Sequence, residues 1–481
     1  MATSTVSQPS YERSDMSVGI VHFGVGGFHR AHQAMVIDGL MNQGEALDWG
    51  ICGVGVLPAD RAMRDALLGQ DGRYTLVLKH PDGTREARSI GSIVDYLFAP
   101  DDPDAVVERM SDPAVRIVSL TITEGGYNTD QVTGLFDDAN PDVQADLHDG
   151  AAPRTVFGLV TEALRRRRER GIEPFTVMSC DNIQGNGGVA SRAFSRFARL
   201  KDEELGAWIA ENVAFPNSMV DRITPVTTDD DRRMIADEFG VQDAWPVVAE
   251  PFFQWVLEDR FPGGRPPFEH AGVQVVADVE PYELMKLRLL NVGHQGIAYF
   301  GRLSGYTYAH EASRDPLIVD LLRRYWRDEA RPTLRPVPGV DLDEYTESLL
   351  ERFSNEYVLD TLARLCAESS DRIPKWLLPV VRDQLAAGRG VHRSAAIVAS
   401  WARYAEGIDE HGRPIEVVDR LRDVVMANAA RQGDDVLAFL REPTLFGELA
   451  SDEPFATEYA AALRALRDAG AQATLRALAS E

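Results

Sequence analysis

The sequence predicts an α/β amino-terminal domain followed by a mainly α-helical carboxy-terminal domain. Three observations predict it. Short apolar runs alternate with helical patterns up to about residue 280, as in a sheet flanked by helices. A glycine-rich turn, Gly24-Val-Gly26-Gly27, joins the first run to the first helix. After Pro281 the strands cease, and helix-compatible segments follow one another, separated by Gly, Pro and Asp. The expected divisions are a loose tail over 1–17, an α/β domain over 18–280 and a helical domain over 281–481.

Ser17 to Phe23 reads as a short apolar strand running into the glycine turn, with a helix to about Asn42. Strand, glycine turn and helix together give a Gly-x-Gly signal its meaning. The glycines let the backbone approach a pyrophosphate, and the helix start offers free amides. His29 stands where a third glycine would complete the dinucleotide-binding, Rossmann-like pattern. His22, alternating with Val21 and Phe23, reads as structural. A second strand spans Trp49–Val56 and leads through Asp60 into a helix over Arg61–Leu68. An acid near the end of strand two accepts ribose hydroxyls and favours NAD over NADP. Asp60 fills that role, and it can equally cap the helix. Adjacent Arg61 leaves some NADP tolerance open.

Tyr74–Lys79 and Arg88–Ser92 read as strands around the turn Pro81-Asp-Gly-Thr. Val115–Ile122 is another strand, opening into Thr123-Glu124-Gly-Gly-Tyr127. Ligands of such folds bind at the carboxyl ends of strands, which makes Glu124 a candidate. A helix over Thr155–Glu169 precedes the strand Phe175–Ser179, which ends in Cys180-Asp-Asn182-Ile-Gln-Gly-Asn186. Ala190–Val213 reads as one helix, and Phe215–Pro225 as irregular around Asp221. Gln274–Val279 is the last clear strand. Helices are expected over 282–302, 314–330, 342–351, 356–368, 376–388, 392–406, 414–429, 432–440 and 453–479.

Composition bounds the function. The 481 residues hold 50 Lys plus Arg against 75 Asp plus Glu, a net charge of −25. Such a surface repels nucleic acid and anionic membranes. The run Arg165–Arg168 is flanked by Glu162, Glu169 and Glu173 and reads as a solvated helix face. No stretch approaches the roughly 18 apolar residues of a membrane span, and the first 17 residues lack the pattern of a signal peptide. Cys52, Cys180 and Cys366 are far apart, so a disulfide framework is not expected, which fits a reducing cytoplasm. No metal site is expected from ten scattered histidines.

The segment Glu283-Leu-Met-Lys286-Leu-Arg-Leu-Leu-Asn291-Val-Gly-His294 carries the chemistry. At about 100° per residue its four polar side chains fall within roughly 140° of one helix face. A buried lysine is costly unless it finds partners or sheds its proton. Lys, Asn and His together can hold an oxygen, take its proton and stabilise its charge, as alcohol and carbonyl chemistry requires. The bland alternative is an amphipathic helix with a polar edge in water. Because the segment opens the second domain, it is expected to face a cleft.

Five motifs in order then carry a resemblance: Gly-Val-Gly-Gly-Phe-His-Arg-Ala-His, Thr-Glu-Gly-Gly-Tyr, Ser-Cys-Asp-Asn-Ile-Gln, Pro-Asn-Ser-Met-Val-Asp-Arg-Ile-Thr-Pro and Lys-x4-Asn-x2-His. Together they resemble the polyol-specific long-chain dehydrogenases/reductases, the mannitol 2-dehydrogenase family, over nearly the whole chain. The resemblance implies a zinc-independent enzyme that uses NAD or NADP, with NAD favoured by Asp60, and interconverts a sugar alcohol and a ketose, best D-mannitol and D-fructose. A uronate reductase (fructuronate or tagaturonate), a pentitol (arabinitol) dehydrogenase and a non-catalytic NAD-binding sensor are the alternatives. The resemblance also implies a monomer or weakly associating homo-oligomer.

By the same resemblance, Lys286 is the general base, and Asn291, His294 and Asn182 position and polarise the reacting oxygen. Glu283 passes the proton to solvent. Asp221, Arg364 and Lys375 contact substrate. Gly24, Gly26, Gly27, Phe28, His29 and Arg30 line the nucleotide, with Asp60 at the ribose and Glu124 beside the nicotinamide. Bland readings stand beside these roles. Asp221 can neutralise Arg222, Arg364 can pair with Glu368 four residues on, and Asn186 can cap a helix.

Overall fold

The computed structural model describes residues 5–129, 134–148 and 150–480, and the chain divides into two compact units, Met1–Glu280 and Pro281–Glu481. The strands of the first unit are β1 (Val18–Phe23), β2 (Gly50–Gly55), β3 (Tyr74–Lys79), β4 (Arg85–Ile90), β5 (Ile93–Phe98), β6 (Ile117–Leu120), β7 (Thr176–Ser179), β8 (Ser218–Asp221), β9 (Val247–Ala249), β10 (Gln254–Glu258) and β11 (Gln274–Val276). Five of them form a parallel sheet in the order β5-β2-β1-β6-β7. Chain order reverses at β1, the place where open parallel sheets bind ligands at their carboxyl edge. Alternation sorts the core. Val21, Phe23, Val54 and Val118 face one layer, and Ile20, Ile51 and Ile117 the other.

Several expected elements are corrected. The hairpin strand expected at 88–92 runs from Arg85 to Ile90, because Asp82 tightens the turn by accepting the N–H of Thr84 at 2.8 Å. The next strand, β5, was not expected, since Asp95 interrupts its apolar run; Arg109 pairs with that acid at 2.7 Å. The helix expected over 190–213 is two, Asn186–Lys201 and Glu203–Asn212, because Asp202 caps the second by accepting from Glu204 and Leu205. Part of the segment read as irregular is strand β8, paired antiparallel with β10.

The loose tail is also corrected. Residues 1–4 lie outside the described residues, but 5–17 are tied down. Ser7 bridges β4 through Ala87 and Ser89, Tyr11 donates to Asp38 at 2.6 Å, and Arg13 donates to Val94 O at 2.6 Å. Ser7 thereby covers the open edge of β4, while Tyr11 ties the segment to the helix Gln33–Asn42 and Arg13 ties it to β5.

The second unit is helical. Its first helical run is continuous from Glu280 to Leu303 but widens over Lys286–Asn291. A further run, Pro316–Arg324, widens in the same way over Tyr325–Ala330. Leu342–Phe353, Leu362–Cys366, Ser369–Trp376, Leu378–Ala386, His392–Tyr404, Arg422–Ala430, Glu453–Ala469 and Ala471–Ser480 follow. The helix expected at 356–368 shrinks to five residues because Leu359 takes φ 53°. The segment 432–440 holds the end of a short 3-10 helix, Arg431–Gly433, and then turns. Gly470 at φ 83° divides the last expected helix in two.

Candidate functional site

The first unit presents its candidates at the carboxyl ends of the parallel strands. Gly24 follows β1 at φ 90°, and a Cβ there would lie 2.0 Å from Thr121 O, so only glycine passes this point. Thr121 Oγ1 donates to Gly24 O at 2.6 Å, joining the loops after β1 and β6. Gly26 is exposed and extended, while Gly27 and Phe28, half-buried, open a short helix, Gly27–Ala31. A bare backbone followed by helix-start amides suits a phosphate group.

His29 and Arg30, expected at the cofactor, do not share that exposure. The His29 ring is buried and stacks on His22 with centroids 3.4 Å apart. Arg30 is 2% exposed and turns inward, donating to Gly26 O and Trp245 O beneath the loop and lying over Tyr74. Burial lowers its guanidinium to about 10. It braces the loop from behind. His22 is structural, as expected. It bonds Ser119 Oγ at 2.8 Å and Thr121 Oγ1 at 3.0 Å, and Ser119 donates to Gln33.

Asp60 begins the helix Asp60–Leu68, and its Oδ2 accepts the N–H groups of Val56 and Leu57, each at 2.9 Å. One oxygen therefore fixes the turn after β2, and Oδ1 has no partner among the described residues. Arg61 is occupied by Asp101, at 2.6 Å.

Glu124 is half-buried on the single turn Glu124–Tyr127, and Asn182 is exposed just past β7. Between them lies a residue that sequence reasoning passed over, Asp181. Its Oδ1 accepts the N–H of Thr123 at 2.8 Å, and its Oδ2 accepts the N–H of Ile122 at 3.1 Å and the Tyr127 hydroxyl at 2.8 Å. Burial raises its carboxyl to about 6, against these hydrogen bonds, and nearby Glu124 adds to the rise. An acid beside an asparagine at a strand end was the available signal. Asn186 is not a cap. It is fully buried, donating to Asp181 O and Ser218 O and accepting from Ser218 N. Asp221 is buried on β8, while Arg222 reaches the carbonyls of Ala31, Pro251 and Phe252.

In the second unit, Glu283, Lys286 and Asn291 are 5%, 4% and 4% exposed, too buried for the polar edge of a surface helix. The wide turn changes their geometry. In an α-helix, residues five apart lie about 140° apart around the axis. Here Val292 N donates to Leu287 O, five residues back, so one turn closes over five residues. Lys286 and Asn291 therefore share one face more closely than regular helical spacing gives. Asn291 Nδ2 is buried with no protein partner among the described residues. A buried amide donor without a protein partner calls for an explanation, and a donor role toward a substrate oxygen is one. Arg288, from the same turn, leaves in another direction to Asp383 and Thr333 O. The half-buried His294 ring packs on Phe353 at 4.4 Å.

Arg364 is exposed and bidentate to Asp360, at 2.6 and 2.5 Å. The expected pairing with Glu368 is thus replaced by the acid four residues earlier, because Glu368 turns to Arg420 N. Lys375 is exposed, 3.9 Å from Asp371. Among the described residues, no group of three or more His, Cys, Asp and Glu side chains is arranged to hold a metal ion. Nor is any helix among them long and apolar enough to cross a membrane.

Comparison with known proteins adds to this geometry. Residues 18–270 match the mannitol dehydrogenase Rossmann domain, and 278–467 the mannitol dehydrogenase C-terminal domain. The mannitol 2-dehydrogenase of Neosartorya fischeri is 46% identical over 98% of this chain and 95% of its own. That of Phaeosphaeria nodorum is 47% identical over 98% and 83%. The structure of Pseudomonas fluorescens mannitol 2-dehydrogenase in ternary complex with NAD and D-mannitol matches with a TM-score of 0.92 at 45% identity, covering 99% of this chain and 97% of that one. A D-sorbitol dehydrogenase in substrate-free form matches with a TM-score of 0.87 at 39% identity, covering 98% and 97%.

Proposed function

Because the chain belongs to the mannitol dehydrogenase family, whose members oxidise CH–OH groups, we propose that it is an NAD-dependent, zinc-independent dehydrogenase interconverting D-mannitol and D-fructose. The polyol dehydrogenase class follows from the family; the substrate pair, the coenzyme and the residue roles are our reading. The observation that carries it is the widened turn: a buried lysine and an open amide donor share one helix face, in a chain about half identical to mannitol 2-dehydrogenases.

The residues take these roles. Gly24, Gly26, Gly27 and Phe28 hold the pyrophosphate by backbone amides. Asp60 keeps Oδ1 for a ribose hydroxyl, which supports NAD, and Arg61, held by Asp101, is not free for a 2′-phosphate. Glu124 borders the nicotinamide, which when bound accepts the hydride. Lys286, as the general base, takes the proton of the substrate's secondary hydroxyl. Asn291 Nδ2 donates to the oxygen as charge gathers on it, with Asn182 as a second donor and His294 orienting the same atom. Glu283 returns the proton from Lys286 to solvent. Asp221 accepts from a substrate hydroxyl.

The uronate reading needs a cation for the substrate carboxylate, and Arg364 already spends its guanidinium on Asp360. That supports a neutral polyol. The likeness to a D-sorbitol dehydrogenase favours one further substrate, D-sorbitol. The test is a panel of NADH and NADPH against fructose, fructuronate, tagaturonate, xylulose and ribulose, with mannitol and sorbitol in the oxidative direction. Reduction of fructose with NADH and oxidation of mannitol is the expected result. Turnover of a uronate alone would move the function to uronate reduction, and nucleotide binding without any turnover would favour the sensor.

A further inference from the structure

A widened helical turn breaks the regular ladder of backbone bonds, so carbonyls near it take partners from outside. Two side chains supply them here. The Tyr325 hydroxyl donates to Arg288 O at 3.0 Å, and Trp326 Nε1 donates to Leu289 O at 2.9 Å. Both rings are buried, at 0% and 1% exposure. They are consecutive residues at the start of the second widened turn, Tyr325–Ala330. The second irregular turn therefore braces the first.

The second turn is anchored in its own right. Gln384 Nε2 donates to Asp328 O and Glu329 O. The Glu329 carboxylate accepts the N–H groups of Arg393 and Ser394, at 2.7 and 2.8 Å, at the start of the helix His392–Tyr404. Trp326 also needs room. A Cβ at position 293 would lie 3.1 Å from its ring, so Gly293 lets the indole close on the helix.

We propose that Tyr325 and Trp326 are positioning residues for the reaction, holding the turn Lys286–Asn291 wide so that Lys286 and Asn291 work from one face. The work assigned to those two residues rests on the function proposed above; the hold on the turn does not. Without the two donors, Arg288 O loses its bond to Tyr325 and Leu289 O keeps only the N–H of Val292, so the turn gains by returning to regular helical bonding. That return swings Asn291 away from Lys286 around the helix axis.

Tyr325→Phe and Trp326→Phe remove the donors and keep aromatic rings in place. Tyr459→Phe is the control, a buried tyrosine whose hydroxyl bonds Gln432 at 2.9 Å. Both test variants are expected to lose about tenfold to a hundredfold in kcat for the polyol, the scale of a 1 Å misplacement. NADH affinity should be unchanged, and amide hydrogen exchange over residues 288–294 should speed up. The control should keep its kcat, its pH–rate profile and its exchange in this segment.

Unchanged kcat in the two variants overturns the proposal, whatever the exchange shows. Lost kcat without faster exchange also overturns it, because the residues would then act by another route. Should the wild-type protein turn over no polyol, the function above fails separately. The exchange experiment then decides alone whether the two residues hold the turn: faster exchange supports the hold, and unchanged exchange rejects it.

Discussion

Asp181 accepts the backbone N–H of Thr123 at 2.8 Å, and Thr123, a β-branched residue, sits at φ 65° and ψ 169°. Such a conformation costs on the order of 1–3 kcal/mol and persists only where its surroundings enforce it. The carboxylate also gathers Ile122 and Tyr127, so one side chain sets the turn that bears Glu124 and adjoins Asn182. Asp181→Asn places an amide N–H₂ against these donors. Denaturant unfolding is expected to show a loss of about 1–3 kcal/mol, with weaker nucleotide binding by fluorescence titration. Wild-type stability and affinity would remove Asp181 from this role.

Buried groups give the stability a definite dependence on pH. Burial lowers His22 to about 3, below its ordinary 6.5. Its contribution is therefore present above pH 6.5 and lost as pH falls through about 3. Asp181 has the opposite sign: its carboxyl is raised from 3.8 to about 6, so its contribution is present below 3.8 and lost as pH rises through about 6. In thermal unfolding from pH 7 to 4, His22→Gln should flatten the acid decline, whereas Asp181→Asn should steepen it. Identical slopes in all three proteins would contradict both assignments.

Asn291→Ala should separate catalysis from stability. Its Nδ2 makes no bond to another described group, so truncation costs the fold little. Loss of a donor to a developing oxyanion costs on the order of 10²–10³ in kcat. A variant that unfolds readily but keeps kcat would reverse this assignment.

Arg364→Ala leaves the buried Asp360 carboxylate without its bidentate partner. Stability is expected to fall by roughly 1–3 kcal/mol, with KM for a neutral polyol changed less than the fold. A large rise in KM for a uronate at unchanged stability would restore Arg364 as a carboxylate ligand.

Most of the parallel sheet was legible in the sequence because its strands are largely apolar and end in glycine or polar turns. β5 escaped because Asp95 breaks the run, and its partner Arg109 is visible only in three dimensions. The glycine loop was legible as backbone, but exposure separates Gly26 and Phe28 from the buried His29 and Arg30, and no local pattern reports that. The Lys-x4-Asn spacing was plain, yet regular helical geometry spreads it over about 140°. Widening depends on Tyr325 and Trp326, over thirty residues along the chain. Asp181 was overlooked because its three donors come from the loop after a different strand.

The proposed chemistry turns on Lys286 taking the substrate proton. Its most direct test is NADH oxidation with fructose by wild-type protein and by Lys286→Ala, with NADH affinity measured in both. Turnover in the wild type, near-complete loss in the variant and equal NADH binding are expected. A variant that binds NADH normally and still reduces fructose within a few-fold of the wild-type rate would contradict that role.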